Sequence, residues 1–283
     1  MFAWHNGQLV NASDLSVPVT DIGFRQGVVA VERLRTYDGR VASLHAHVVR
    51  WRRTIEELYL SVAVDTDAIG ERIESLLEKN RGFIDEVRDC GITMLATPGD
   101  ATSGQANEMM HLNAIDHERV ARHRKDGQSI FVTDIHQPSG RCWPRDIKVR
   151  CRLHYYLADM QARDHHEDAA GLLVDDDGSV TDTSTSNIAI VKNSIVTSPP
   201  PGQVLPGVTQ QTVRQVCSSA GVHWHDEALW PAEIRDADEV WLMGTDGGWW
   251  FANRVDGAAV GQGKTPSLYQ TLHPDFDKEI RRQ

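Results

Sequence analysis

Little in this sequence points to a membrane, to nucleic acid or to a disulfide framework. No run of about 20 apolar residues occurs, so no membrane-spanning helix is expected. Across 283 residues, 29 basic side chains face 40 acidic ones, and the net charge of −11 argues against a protein that binds the phosphate backbone through a basic patch. Cysteine is scarce: Cys90, Cys142, Cys151 and Cys217 are scattered without C-x-x-C spacing, so reduced thiols in a cytoplasmic protein are expected. The opening MFAWHNGQLV lacks the basic and apolar regions of a signal peptide. The glycine-rich loops match no dinucleotide or P-loop fingerprint, and no internal repeat is visible. His165-His166-Glu167-Asp168 offers adjacent ligands rather than zinc spacing, and Asp175-Asp176-Asp177-Gly178 lacks the later glutamate of a calcium loop. No metal is expected.

What the chain does have is ordinary globular composition, 40% hydrophobic and 24% charged, and enough length for a substantial core. Asn6-Gly7 predicts a hairpin turn within residues 2–10, and Val29 to Arg33 alternate as a strand. Val48, Trp51, Ile55 and Leu58 form a helical stripe; Ile69, Ile73, Leu76 and Leu77 form another over Thr66 to Lys79. Strands are predicted at Ile92–Ala96, Met109–Ile115 and Ser129–Ile135. Strands and helices thus mix without regular alternation, which predicts an α+β protein. The charged segment 118–127, free of apolar periodicity, reads as a linker between residues 1–117 and 128–283.

The stretch from Ile147 to Val191 organises the rest. Lys148 opens a helical pattern whose Leu153, Tyr156, Leu157 and Met160 recur on one face expected to be buried. The apolar run Ala169–Val174 follows, then a turn at Asp176–Gly178, then Ser179-Val180-Thr181-Asp182, a hydroxyl row from Thr183 to Ser186, and Asn187 leading into Ile188–Val191. Farther on, Leu205-Pro206-Gly207-Val208-Thr209 opens a helix with Val213, Val216, Cys217 and Ala220 on one face, ended by Gly221. The amides at its start favour an anion. Strand Glu239–Met243 runs into the small-residue loop Gly244–Gly248, and Trp249-Trp250 reads as core.

In order, the lysine segment, GSVTDTSTSN, TSPPPGQVLPGVTQ and ADEVWLMGT resemble the class IV aminotransferases, pyridoxal-phosphate enzymes of fold type IV. Weaker likenesses at DIGFRQGVVAVERLRTYDG and HAHVVRW extend this over nearly the whole chain. The resemblance implies a two-domain α+β fold with the cofactor in the cleft between the domains and its lysine in the C-terminal one. It implies that Lys148 binds pyridoxal 5'-phosphate and moves the substrate Cα proton. Asp182 would pair with the ring nitrogen where the family generally has glutamate. Arg50, Val208, Thr209 and Thr245 would hold the phosphate, with Ser186 and Asn187 supporting the cofactor. The implied reaction is amino transfer between an amino acid and a 2-oxo acid, by a homodimer. A lyase of the aminodeoxychorismate type is the alternative. A repurposed, non-catalytic member is another, given the departures at Val28, Val29, Val31, Pro98, Arg152, Asp182 and Gln210. Pro98 stands where many members place an arginine for the substrate carboxylate, and Val31 where they place an aromatic; apolar donors such as branched-chain amino acids are therefore expected.

Overall fold

Two sheets, each with its own apolar core, make up the computed structural model, which describes residues 1–102 and 104–283. One unit comprises Met1–Ile115, Asp146–Cys151 and Arg281–Gln283; the other comprises Asp116–Arg145 and Arg152–Ile280. Both combine helices with largely antiparallel strands, an α+β fold.

In the first unit, strands β1 (Phe2–His5) and β2 (Gln8–Asn11) form the hairpin, with Asn6 and Gly7 both at positive φ. Asp21 caps the short helix α1 (Ile22–Gln26), its carboxylate accepting from Gly23 N at 2.7 Å and from the Thr97 hydroxyl at 2.7 Å. A Cβ on Gly23 would stand 2.5 Å from Thr97 Cγ2, so this Asp-x-Gly is a packing device. Strands β3 (Ala30–Tyr37) and β4 (Arg40–Val41) are followed by helices α2 (Leu44–Glu57), α3 (Thr66–Lys79) and α4 (Arg81–Val87), then by β5 (Cys90–Thr97) and β6 (Asn107–Ala114). The sheet order is β2-β1-β6-β5-β3-β4. The expected stripes, with Val48, Trp51 and Ile55 on α2 and Ile69, Ile73 and Leu76 on α3, pack on Leu34, Ile92, Met94 and Leu112.

The second unit opens where a linker is expected. Instead, α5 (His117–Asp126) forms, capped by Asp116, which accepts from Arg119 N at 2.9 Å. The acidic N-cap and the basic His123, Arg124 and Lys125 of the last turn suit a helix dipole, a signal that apolar periodicity does not carry. After β7 (Gln128–His136) comes α6 (Leu153–Arg163), then β8 (Ala170–Val174), β9 (Val180–Thr183), β10 (Asn187–Lys192) and β11 (Ile195–Ser198). Helix α7 (Val208–Ser219), β12 (Trp224–Asp226), α8 (Pro231–Arg235), β13 (Glu239–Gly244), β14 (Gly248–Val255), β15 (Ala258–Ala259) and α9 (Ser267–Arg282) complete the order. The strands follow β12-β11-β10-β13-β14-β7-β8-β9, and the pairing of Asn187 with Asp182 brings β9 back to β10, closing a ring. Glu239 accepts from Leu268 N and Tyr269 N, capping the start of α9, and Trp249 lies in an aromatic core with Trp241, Tyr269 and Phe276.

Two expectations around Lys148 are corrected. Lys148 is not helical: its C=O accepts from Val31 N at 3.0 Å, Arg150 N donates to Val29 O at 2.9 Å, and Val149 bridges Ala30. A backbone paired to a strand edge cannot wind into a helix, so α6 begins only at Leu153, and the lysine belongs to the first unit rather than to a C-terminal domain. The stripe of α6 is also reversed. Leu153, Tyr156, Leu157 and Met160 are exposed, the first two by 68% and 62%, whereas Ala158 and Ala162 are fully buried. Helix and sheet meet too closely for large side chains: a Cβ on Gly171 of β8 would lie 2.4 Å from the Ala158 carbonyl. Ala220, expected on the buried face of α7, is exposed as its C-cap.

Candidate active site

Helix α2 presents His47 and Arg50 on one face, three residues apart, toward Glu32 on β3. Arg50 donates from Nε to Glu32 Oε2 at 3.0 Å and from Nη2 to Oε1 at 2.6 Å, while His47 Nδ1 lies 2.9 Å from Oε1. All three side chains are buried, Arg50 with 7% exposure, so Arg50 is not part of a solvated face with Arg52 and Arg53. Burial alone would push the Glu32 carboxyl upward; the Arg50 charge and the hydrogen bonds from His47 and Arg50 override it and hold Glu32 ionised well below the carboxylate range. His47 is shifted the other way. Burial, helped by the charges of Arg50 and Lys148, lowers its pKa against the pull of Glu32.

Lys148 reaches this cluster through its backbone. Its N–H donates to Thr54 Oγ1 at 3.0 Å, and the Thr54 hydroxyl donates to Arg50 O at 3.1 Å. Thr54 is completely buried. The first unit thus ties Lys148, Arg50 and Glu32 together. Sequence reasoning missed Thr54 and the role of Glu32; the His-x-x-Arg spacing opposite a strand glutamate was the available signal.

In the second unit the remaining candidates gather around Asn187. It pairs with Asp182 on β9 and with Met243 on β13, one residue before the loop that carries Thr245. Its Nδ2 donates to Leu205 O at 2.8 Å, and a Cβ on Gly207 would stand 1.9 Å from its Oδ1. Asn187 therefore fixes the turn into α7, where Val208 and Thr209 lie. A Cβ on Gly244 would come within 2.2 Å of Thr185 O, which sets the hydroxyl row against the Thr245 loop. The Ser186 hydroxyl shares a hydrogen bond with Thr183 Oγ1 at 2.8 Å, so Ser186 and Asn187 act as internal struts of the site.

Asp182 is buried, with 4% exposure, and Tyr155 donates to its Oδ1 at 2.9 Å. Nearby, Arg145 donates to both oxygens of Asp175 and to Gln203 O, closing the turn before β9. Arg145 is held above its ordinary pKa by the hydrogen bond to Asp175, against its own burial and with smaller help from Asp182 and other carboxylates. Helix α7 has Gly207 as N-cap and no side-chain cap. In its first turn Thr209 is buried, and Gln210 Nε2 is a buried donor with no hydrogen-bond partner among the described residues. A buried carboxylate and an uncapped helix start with an orphan donor suit a molecule that is cationic at one end and anionic at the other. Pyridoxal phosphate, with its protonated ring nitrogen and its phosphate, fits this donor set.

The metal-like motifs have other employment. His165 stacks on Phe131 at 4.4 Å, Asp168 pairs with His123 at 2.7 Å, and Asp175 is taken by Arg145.

Comparison with known proteins agrees with this chemistry. The family model described as amino-transferase class IV matches residues 30–255. The D-alanine aminotransferase of Bacillus licheniformis is 24% identical over 282 residues, covering 97% of this chain and 95% of that protein. Among solved structures, the Escherichia coli branched-chain amino acid aminotransferase superposes with a TM-score of 0.90 at 21% identity, covering 99% of this chain and 94% of that one. A second branched-chain amino acid aminotransferase, from T.th. and complexed with N-(5'-phosphopyridoxyl)-L-glutamate, gives a TM-score of 0.89 at 19% identity, covering 99% and 94%. With its buried carboxylate, its uncapped α7 and a family match running from β3 to β14, this chain belongs to the class IV aminotransferases, pyridoxal-phosphate-dependent enzymes of fold type IV.

Proposed function

We propose that the enzyme moves an amino group from an apolar amino acid to a 2-oxo acid, with Lys148 as the catalytic amine. The observation that carries the cofactor assignment is the pairing of Asn187 with the buried Asp182. It sets a carboxylate and the uncapped start of α7 around one residue. Pyridoxal phosphate, when bound, supplies the electron sink. Asp182 holds the proton on the ring nitrogen. The Val208 and Thr209 amides, the Thr209 hydroxyl and Thr245 bind the phosphate, and Arg50, oriented by Glu32, adds a charged donor. Lys148 Nζ takes the proton from the substrate Cα and returns it to the acceptor carbon.

The donor preference rests on Pro98 and Val31. Proline offers neither charge nor N–H to a substrate carboxylate, and Val31 is a small apolar side chain. The neighbouring Thr97 hydroxyl is already committed to Asp21. A second copy of the chain would cover the exposed stripe Leu153, Tyr156, Leu157 and Met160, which supports a homodimer. No helix among the described residues is long and apolar enough to cross a membrane, and the exposed free thiols Cys142 and Cys151 favour a cytoplasmic setting.

Borohydride reduction of the holoenzyme followed by peptide mapping should place the pyridoxyl group on Lys148; another lysine would overturn the assignment. In a donor panel at fixed oxo acid, branched-chain amino acids should outpace D-alanine and D-aspartate. The reverse order would mean that a cation other than the missing arginine grips the carboxylate.

A further inference from the structure

Behind Asp182 stands a chain of donors that the proposed reaction does not use. Gln137 Nε2 donates to Tyr155 Oη at 3.3 Å, and Tyr155 Oη donates to Asp182 Oδ1 at 2.9 Å. A phenol has one hydrogen. With that hydrogen given to Asp182, its oxygen can only accept from Gln137. Turning the carboxamide round would set a carbonyl against a phenol oxygen with no hydrogen left, so Gln137 Oε1 instead stays buried without a partner. With Asp182 ionised, the chain therefore runs one way, from Gln137 through Tyr155 to the carboxylate.

The ring of Tyr155 is itself held. The Arg152 guanidinium lies 4.4 Å from its centroid and donates to Ser184 O, two residues beyond Asp182. His154 packs against the ring at 4.2 Å. Arg152, a departure from the family pattern, so links the start of α6 to the strand end that carries Asp182.

We propose that Tyr155 is a positioning residue, which holds the short Asp182 side chain ionised and in one orientation, with Gln137 as its support. This rests on the reading that Asp182 keeps the pyridine nitrogen protonated. Aspartate reaches one methylene less far than glutamate, so a fixed orientation matters more for it. The phenol remains a neutral donor throughout: burial first, and then the Asp182 charge, raise its pKa well above 10.

The test uses holoenzyme carrying cofactor labelled with nitrogen-15 in the ring, followed by NMR across pH 6 to 9. In the parent the ring nitrogen should stay protonated over the whole range. Tyr155→Phe should bring its deprotonation into that range and weaken cofactor binding about tenfold. Asp182→Asn should lose the ring proton throughout, and adding Tyr155→Phe to it should change nothing further. A Tyr155→Phe protein that melts earlier but keeps the parent nitrogen shift would make Tyr155 merely structural and overturn the proposal. An Asp182→Asn protein with the parent shift would instead overturn the underlying reading, and the proposal with it. If Tyr155→Phe does not fold, Gln137→Leu carries the same test: a smaller change in the same direction supports the proposal, and no change overturns it.

Discussion

The backbone N–H of Lys148 donates to the Thr54 hydroxyl at 3.0 Å, and that hydroxyl donates to Arg50 O, so one buried threonine joins the Lys148 segment to α2. Thr54→Val keeps the shape and removes both bonds. It should lower stability by about 1–3 kcal/mol, because a peptide N–H loses its partner in a partly buried place. Thr54→Ser should recover most of the loss. Equal denaturant midpoints for the valine variant and the parent would refute the link.

Arg50 and Glu32 form a buried pair, so removing either leaves an uncompensated charge. Glu32→Gln and Arg50→Ala should each destabilise by about 3–5 kcal/mol. If Arg50 also binds the phosphate, Arg50→Ala should raise the cofactor dissociation constant ten- to a hundredfold, by about 1.5–3 kcal/mol, and Glu32→Gln should raise it less. Loss of stability with unchanged cofactor affinity would confine Arg50 to its pairing with Glu32.

Acid should destabilise the protein in two stages. Burial, and then the Arg152 charge, lower His154 from 6.5 to about 4. The fold thus favours neutral His154, whose contribution is complete above the unfolded value of 6.5 and fades as pH falls toward 4. His47, lowered mainly by burial, acts in the same direction. Below the ordinary glutamate value of about 4.3, the contribution of ionised Glu32 begins to fade as well. His154→Gln should flatten the upper stage of a urea-midpoint profile between pH 7 and 4 and leave the lower stage alone. An unchanged upper stage would contradict this.

Gly171→Ala should be among the most damaging single-methyl additions in the chain. The new Cβ meets the Ala158 carbonyl carbon and oxygen at 2.4 Å, and backbone atoms cannot rotate away. A loss of about 1–3 kcal/mol is expected by thermal or urea unfolding. A stability equal to the parent would mean that α6 can lift from β8.

Much of this was legible because local pattern and tertiary role coincided. The α2 and α3 stripes, the Asn6-Gly7 hairpin and the run Ile188 to Val191 all lie where periodicity and turn chemistry put them. Motif order picked out Asp182, Asn187 and Thr209, and strand pairing sets Asn187 beside Asp182. What failed was set by distant partners. Lys148 is extended because Val29 and Val31 hold its backbone, and nothing near it in sequence says so. The large residues of α6 face outward because Gly171 lets Ala158 touch the sheet, and the periodicity of a helix does not say which side its neighbour takes. Glu32, His47 and Arg50 were visible as single residues, but their pairing needed the strand opposite the helix.

The bridge between Ala30 and Val149 joins positions about 120 residues apart, and between them the chain enters the second unit and leaves it again. During synthesis, the first unit therefore cannot complete this pairing until the ribosome has released the segment that bears Lys148, seconds after Met1–Ile115 has emerged at about 5–20 residues per second. A gene cut after residue 115 would yield one fragment missing the segment that bridges Ala30 and another carrying Lys148 with nothing to set its register. The Lys148 segment would thus dock only after every strand of the six-stranded sheet has been made, so a chain truncated or stalled before it would hold no aligned lysine.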